Sequence, residues 1–326
     1  MDLYTAENLP SLCPRDNAEP RVVGVGLVQT RWHEDPQEHR ETLAVGINQA
    51  ALAGAQIVFL QELTMLRYMA DVRPDPSKRS ALAESLEDGP SITFFREQAR
   101  ANGVYVAGSV FEKTGDDSER GYNTAVLVAP DGILVKRTRK MHIPITAGYY
   151  EDEYFAPGPA EDYENPYQPV TLPIDGEPRL GLPTCWDEWF PETARLYGMQ
   201  GAQILSYPTA IGSEPDYPNF NTEPLWEQVI RANGIANGTF MVVPNRYGNE
   251  GKVTFYGSSF ISDPFGRILV QAPRDRDAVL VAHLDLAQRD DWITLFPFYK
   301  TRRPESYGRL LNYEGLGAER PAENGD

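Results

Sequence analysis

The sequence predicts one α/β domain, and three observations carry the prediction. Apolar, β-rich runs alternate with amphipathic helical stretches along the chain. Some runs are linked by tight turns and others by helices, so β-β hairpins and β-α-β units both occur. No composition break, internal repeat or low-complexity segment divides the 326 residues, and a hydrophobic content of 41% suffices for one large core. The domain is read over residues 21–311, behind a polar N-terminal extension (residues 1–20) and ahead of a polar C-terminal tail (residues 312–326).

In chain order, RVVGVGLVQT from Arg21 reads as the first buried strand, and ETLAVGINQAALAG as a helix stopped by Gly54. AQIVFLQEL is a second buried strand with Glu62 at its C-terminal end, and SITFFREQARANG a helix closed by Gly103. VYVAGSVFE and NTAVLVAP are strands, and the turn Asp131-Gly132 leads into a further strand, ILVKRTRK. From Met141 to about Gly176 the periodicity is lost. Tyr149, Tyr150, Tyr154 and Phe155 are too many aromatics for a disordered linker, so a long ordered loop is expected. RLGLPTCWD is a strand running into an elbow, WFPETARLYGMQG a helix, AQILSYPT a strand and LWEQVIRANGIANG a helix. TFMVVPNR, FYGSSFISD, RILVQAP and AVLVAHLDL complete the strands, with Pro264-Phe265-Gly266 as a turn. The tail after Leu311 is expected to be mobile.

The formal net charge of −17 argues against nucleic acid or an anionic membrane surface as a partner. It suits a cationic substrate, and it equally serves plain solubility. No run approaches the length of a bilayer span, and the N-terminus lacks the basic start and apolar core of a signal peptide. Cys13 and Cys185 are the only cysteines, which favours a reducing compartment, the cytoplasm, over a disulfide. His33, His39, His142 and His283 show no zinc spacing with them, so neither a metal nor another cofactor is expected.

Three short segments place a reactive residue at or near a strand end, where α/β folds gather their sites. Glu62 follows the apolar run Ile57-Val58-Phe59-Leu60, past Gln61, where a core would ordinarily continue; alone it reads as well as a carboxylate capping the next turn. Lys140 leaves a strand and enters the aromatic loop; alone it is one lysine among Lys136, Arg137 and Arg139. Cys185 ends a buried strand before a helix, where the thiolate is favoured; alone it reads equally as an inert buried cysteine. Together a thiol, a carboxylate and a fixed cation form a complete apparatus for acyl transfer from an amide-type carbonyl. No histidine takes the base role: His142, beside Lys140, is read as its structural neighbour.

With these residues identified, the chain resembles the nitrilase superfamily of carbon–nitrogen hydrolases from about Arg21 to Leu311. The family's Glu–Lys–Cys triad maps onto Glu62, Lys140 and Cys185 in that order. Its second glutamate maps onto Glu151, with Glu153 as the competing assignment, ahead of Tyr154-Phe155-Ala156-Pro157-Gly158. The strings Lys140-Met141-His142-Ile143-Pro144, Gly148-Tyr149-Tyr150-Glu151, Cys185-Trp186-Asp187, Trp189-Phe190-Pro191-Glu192, Tyr207 to Pro215 and Arg302-Arg303-Pro304 are most similar to those of N-carbamoylputrescine amidohydrolases. Pro183-Thr184 and Leu63 to Tyr68 depart from that pattern.

The resemblance implies a four-layer α-β-β-α sandwich of the nitrilase type that pairs into homodimers or larger homo-oligomers. It implies Cys185 as nucleophile, Glu62 as base, and Lys140 with the backbone N–H of Trp186 as oxyanion holders, with Glu151 orienting Lys140 or the substrate. Trp186, Glu188 and Thr209 are the implied substrate-binding residues. Carbamoylases for amino acids and β-alanine carry an arginine three positions after the cysteine, where this chain has Glu188. Glu188 either forms an amine pocket or caps the following helix. The expected substrate is therefore a small ureido amine, N-carbamoylputrescine above all. The alternatives are N-carbamoyl-β-alanine, with Arg246 supplying a cation, and an aliphatic amide; a scaffold without activity is the alternative of another class.

Overall fold

The computed structural model describes residues 1–160 and 165–311, so the expected tail at 312–326 lies outside the described residues. Strands β1 (Asp2–Ala6), β2 (Val22–Gln29), β3 (Ile57–Phe59), β4 (Tyr105–Glu112), β5 (Tyr122–Val128) and β6 (Leu134–Arg139) come first in the chain. They are followed by β7 (Val170–Thr171), β8 (Arg179–Gly181), β9 (Ile204–Ser206), β10 (Phe240–Val243), the pair β11 (Tyr247–Asn249) and β12 (Thr254–Tyr256), β13 (Phe260–Ser262), β14 (Ile268–Gln271) and β15 (Ala278–Asp285). One sheet runs β1-β15-β2-β3-β4-β5-β6 and the other β14-β13-β10-β9-β8-β7. The last strand returns between β1 and β2, which locks the two ends of the fold together.

Helices make the parallel crossovers that short turns cannot. α1 (Pro36–Leu52) joins β2 to β3, and α2 (Pro90–Asn102) joins β3 to β4. In the other sheet α4 (Pro191–Met199) joins β8 to β9, and α5 (Glu223–Asn237) joins β9 to β10; the single-turn α3 (Glu151–Tyr154) precedes them in the loop after β6. Side chains alternate across each strand. Val23, Val25, Leu27, Ile57 and Phe59 from one sheet meet Leu180, Ile204, Phe240, Val242 and Ile261 from the other in a shared core. Val28, Val58 and Val106 point outward onto α1 and α2 through Leu43, Ile47, Phe94 and Phe95. Leu205, Met241 and Val243 point outward onto α4 and α5 through Ala194, Trp226 and Ile230. The result is the α-β-β-α sandwich. Gly24 shows how closely α1 and its C-terminal turn approach β2: a Cβ there would lie 2.1 Å from the Gly54 carbonyl oxygen.

Several boundaries differ from the sequence reading for identifiable reasons. α1 begins at Pro36, ahead of the expected apolar periodicity, because Asp35 accepts hydrogen bonds from the N–H groups of Gln37 and Glu38 and Pro36 opens the first turn. The polar extension at 1–20 is not wholly outside the sheets. Residues 2–6 form β1, an edge strand parallel to β15 whose polar sequence (DLYTA) hides its strand character. FYGSSFISD is two strands rather than one, because Gly257 and Ser258 both turn left-handed (φ 58° and 56°) and break the pleat. A sixth helix, α6 (Ala287–Leu295), follows β15 where no helix was read.

Candidate active site

Four loops leaving strand ends converge on one point. Glu62 lies three positions past β3, Lys140 directly follows β6, Glu151 opens α3, and Cys185 follows β8. The loop after β9 supplies Ala210, whose N–H donates to Glu62 Oε2 at 2.9 Å. Each backbone is pinned where its side chain must point. The Lys140 N–H donates to the Asn123 carbonyl (2.8 Å), and the Cys185 N–H to the Pro208 carbonyl (3.0 Å).

Lys140 is the hub. Its Nζ donates to Glu62 Oε1 at 2.9 Å and to Glu151 Oε2 at 2.6 Å, and all three side chains are excluded from solvent. Glu62 accepts a further bond from Asn123 Nδ2 (2.7 Å), whose Oδ1 accepts from the Ser109 hydroxyl (2.8 Å) and so fixes the orientation of the amide. Three donors on one carboxyl hold it as an aligned acceptor. Glu151 accepts a second bond from the Tyr68 hydroxyl at 2.8 Å.

Cys185 sits on an elbow with φ 41°, a left-handed conformation that costs a non-glycine residue energy and persists where surrounding contacts impose it. Asp187 supplies those contacts. It accepts from the backbone N–H of Thr184 and of His142 (3.0 Å each) and lies 2.7 Å from His142 Nδ1, so one carboxylate ties the Cys185 turn to the segment that follows Lys140. His142 stacks on Phe190, ring centroids 3.8 Å apart.

Burial opposes the Lys140 ammonium, but Glu151 and Glu62 outweigh it and hold its pKa well above the ordinary lysine value. Burial pushes the Cys185 thiol well up, the charge of Glu62 adds to this, and Lys140 works against it. The surroundings thus favour the protonated forms of both the thiol and the lysine.

A model of the carbon-nitrogen hydrolase family matches residues 24–294 of the chain. The chain belongs to the carbon–nitrogen hydrolase family. It is 33% identical to a citrullinase of Francisella tularensis subsp. tularensis, over 89% of this chain and 98% of that protein. It is 34% identical to the N-carbamoylputrescine amidase of Arabidopsis thaliana, over 90% and 97% respectively. A solved carbon–nitrogen hydrolase from Helicobacter pylori G27 superposes with a TM-score of 0.80 at 32% identity, covering 89% of this chain and 98% of that one.

In this carbon–nitrogen hydrolase, Cys185, Trp186 and Glu151 reach the wall of a pocket of about 350 Å³; Glu62 and Lys140 sit behind that wall. Two expected substrate contacts are placed elsewhere. Thr209 is fully buried, and its hydroxyl donates to the Tyr207 carbonyl instead of facing the pocket. Glu188 is also fully buried and off the wall, and neither of its oxygens has a partner within hydrogen-bond geometry among the described residues. Burial drives its pKa well up, opposed by the Trp226 indole, so its environment disfavours the charge that would attract an amine. Nor does it cap: the turn at Cys185 is capped by Asp187, and α4 starts without a side-chain cap. Arg246, the cation considered for a ureido acid, is buried and spent on backbone carbonyls and Glu250.

Sequence reasoning passed over Asn123, Tyr68 and Glu214. Glu214 lies on the pocket wall within the Tyr207–Pro215 string, and Tyr68 ends the run that departs from the family pattern. Asn123, near the start of β5, carries no signal beyond being a polar residue in a buried strand.

Proposed function

We propose that the protein hydrolyses an N-carbamoyl (ureido) amine, with N-carbamoylputrescine as substrate and putrescine, carbon dioxide and ammonia as products. One observation carries this choice. The pocket wall at Cys185 holds aromatic rings and a second carboxylate, Glu214, and no lysine or arginine among the described residues. Glu151 is already committed to Lys140 and Tyr68. Half-buried Glu214 is left to receive an ammonium, with Tyr149, Trp186, Trp189 and Phe220 offering ring faces to the same charge. Burial holds the Glu214 pKa up against a hydrogen bond from Thr222, and a bound cation favours its charged form.

In this reading Cys185 Sγ attacks the ureido carbon while Glu62 takes the thiol proton. Lys140 and the Trp186 N–H hold the oxyanion in a dry, fixed field. Glu62 returns the proton to the departing nitrogen as the C–N bond breaks, leaving a carbamoyl thioester on Cys185. Water then adds, giving a proton to Glu62, which passes it to the Cys185 sulfur as the C–S bond breaks; the resulting carbamic acid falls apart to carbon dioxide and the remaining nitrogen product. One water is consumed per ureido group.

The citrullinase relative favours a second reading, a ureido amino acid, whose carboxylate would have to point away from this wall. N-carbamoyl-β-alanine is disfavoured by the commitment of Arg246. Steady-state assays on N-carbamoylputrescine, citrulline and N-carbamoyl-β-alanine test the choice. The ureido amine is expected to exceed N-carbamoyl-β-alanine about 100-fold in kcat/KM, the scale of one lost charged hydrogen bond plus repulsion. Glu214→Gln should remove most of that preference through KM. A preference for the ureido acid refutes the proposal, and a preference for citrulline selects the second reading.

A further inference from the structure

We propose that Arg246 and Glu250 are positioning residues for the reaction: a buried ion pair that sets the geometry of the segment 62–68. This rests on the reading of Glu62 as the base. Arg246 lies between β10 and β11, is fully buried, and does not reach the pocket. Its Nη2 donates to the carbonyls of Glu62 (2.6 Å) and Leu63 (3.2 Å), and its Nη1 to the carbonyl of Leu66 (3.2 Å). Nη1 also meets both oxygens of Glu250, at 3.0 and 2.8 Å. Glu250 in turn accepts from the Tyr68 N–H at 2.8 Å.

The segment is thus gripped at both ends by one pair. Its backbone hangs on Arg246 and Glu250, while the side chains of its first and last residues, Glu62 and Tyr68, close a ring through Lys140 and Glu151. Such a grip has strain to hold, since Leu63 has φ 47°, left-handed for a branched residue, and Arg246 takes the carbonyls on both sides of that strained centre. Arg67 adds to the clamp by donating to the Tyr68 and Glu250 carbonyls. The planar fork of arginine can serve carbonyls and a carboxylate at once; a lysine ammonium on a flexible stem cannot. A residue that only stabilised the fold would change the amount of folded enzyme, whereas this one should change the rate of each folded molecule.

The test is Arg246→Lys, with circular dichroism for folding, kcat and KM on N-carbamoylputrescine, and the rate of Cys185 alkylation by iodoacetamide, which needs no substrate. Misplacing the base by a fraction of an ångström to 1 Å should lower kcat about 100-fold with KM within about threefold, and slow alkylation alongside. Native kcat and alkylation in folded Arg246→Lys overturn the proposal, as does a loss carried by KM alone. Where Arg246→Lys does not fold, Glu250→Gln decides by the same readouts, with a fall of about tenfold in kcat expected and native kcat overturning the proposal. Glu62→Gln separates the two levels. If it is inactive and Arg246→Lys is native, only the clamp fails; if Glu62→Gln turns over and alkylates normally, the reading of Glu62 as base fails.

Discussion

At the scale of single residues, the site depends on one buried cation shared between two buried carboxylates. Lys140 cannot be removed without leaving Glu62 and Glu151 facing each other in a dry interior. Lys140→Ala should therefore destabilise the fold by about 3–5 kcal/mol, the cost of stripping a partner from a buried ion pair, as well as end activity. Urea unfolding measures it, and an unchanged midpoint would mean that the carboxylates are neutral without Lys140. Removing the Tyr68 hydroxyl is gentler, since Glu151 keeps Lys140. Tyr68→Phe should cost about 1.5–3 kcal/mol, the range for a hydrogen bond to a charged group, and lower kcat without abolishing it.

At the scale of elements, α1 is tied to the turn that carries Glu62. His39 on α1 lies with Nε2 2.9 Å from the Thr64 carbonyl, so that nitrogen carries the proton and Nδ1 is bare. Burial lowers the His39 pKa to about 4, with the Thr64 carbonyl working against it. The folded state binds a proton here only near pH 4, whereas the unfolded chain binds one near the ordinary histidine value of 6.5. The contribution is complete above pH 6.5 and is lost as pH falls toward 4, by about 3 kcal/mol over that window. Urea unfolding across pH 4–7 should show a steeper acid decline in the native protein than in His39→Gln, and equal slopes would contradict it. The elements that were legible in the sequence were those with both period and punctuation: β2, α2 closed by left-handed Gly103, and α5 closed by Gly238. Those that were not had one signal missing. β1 is a polar edge strand held by backbone pairing, and the β12–β13 break turns on a left-handed serine that no pattern marks. Among the candidate residues, Glu62 and Cys185 stand out at the ends of buried strands, whereas Lys140 follows the basic Lys136, Arg137 and Arg139 and gains meaning only beside the other two. The burial of Glu188 was not legible because a position relative to the cysteine does not fix the direction of a side chain, which packs here beside α5, where Asn233 donates to the Glu188 carbonyl.

At the scale of the whole molecule, the two large sheets of the described residues enclose a shared core, and no helix among those residues is long and apolar enough to cross a membrane. The formal charge of −17 makes an attractive field for a cationic substrate. Raising the ionic strength from about 0.05 to about 0.5 M should lower kcat/KM for N-carbamoylputrescine by about threefold and leave that for a neutral aliphatic amide unchanged. An equal fall for both would place the effect of salt on the protein instead of on the encounter. The predicted effects on turnover presuppose that Cys185 forms the covalent bond. Ammonia release from N-carbamoylputrescine by Cys185→Ala, compared with the native enzyme at matched circular dichroism, tests that most directly. The account predicts an intact fold and no ammonia above the uncatalysed rate; sustained release by the folded variant would contradict it.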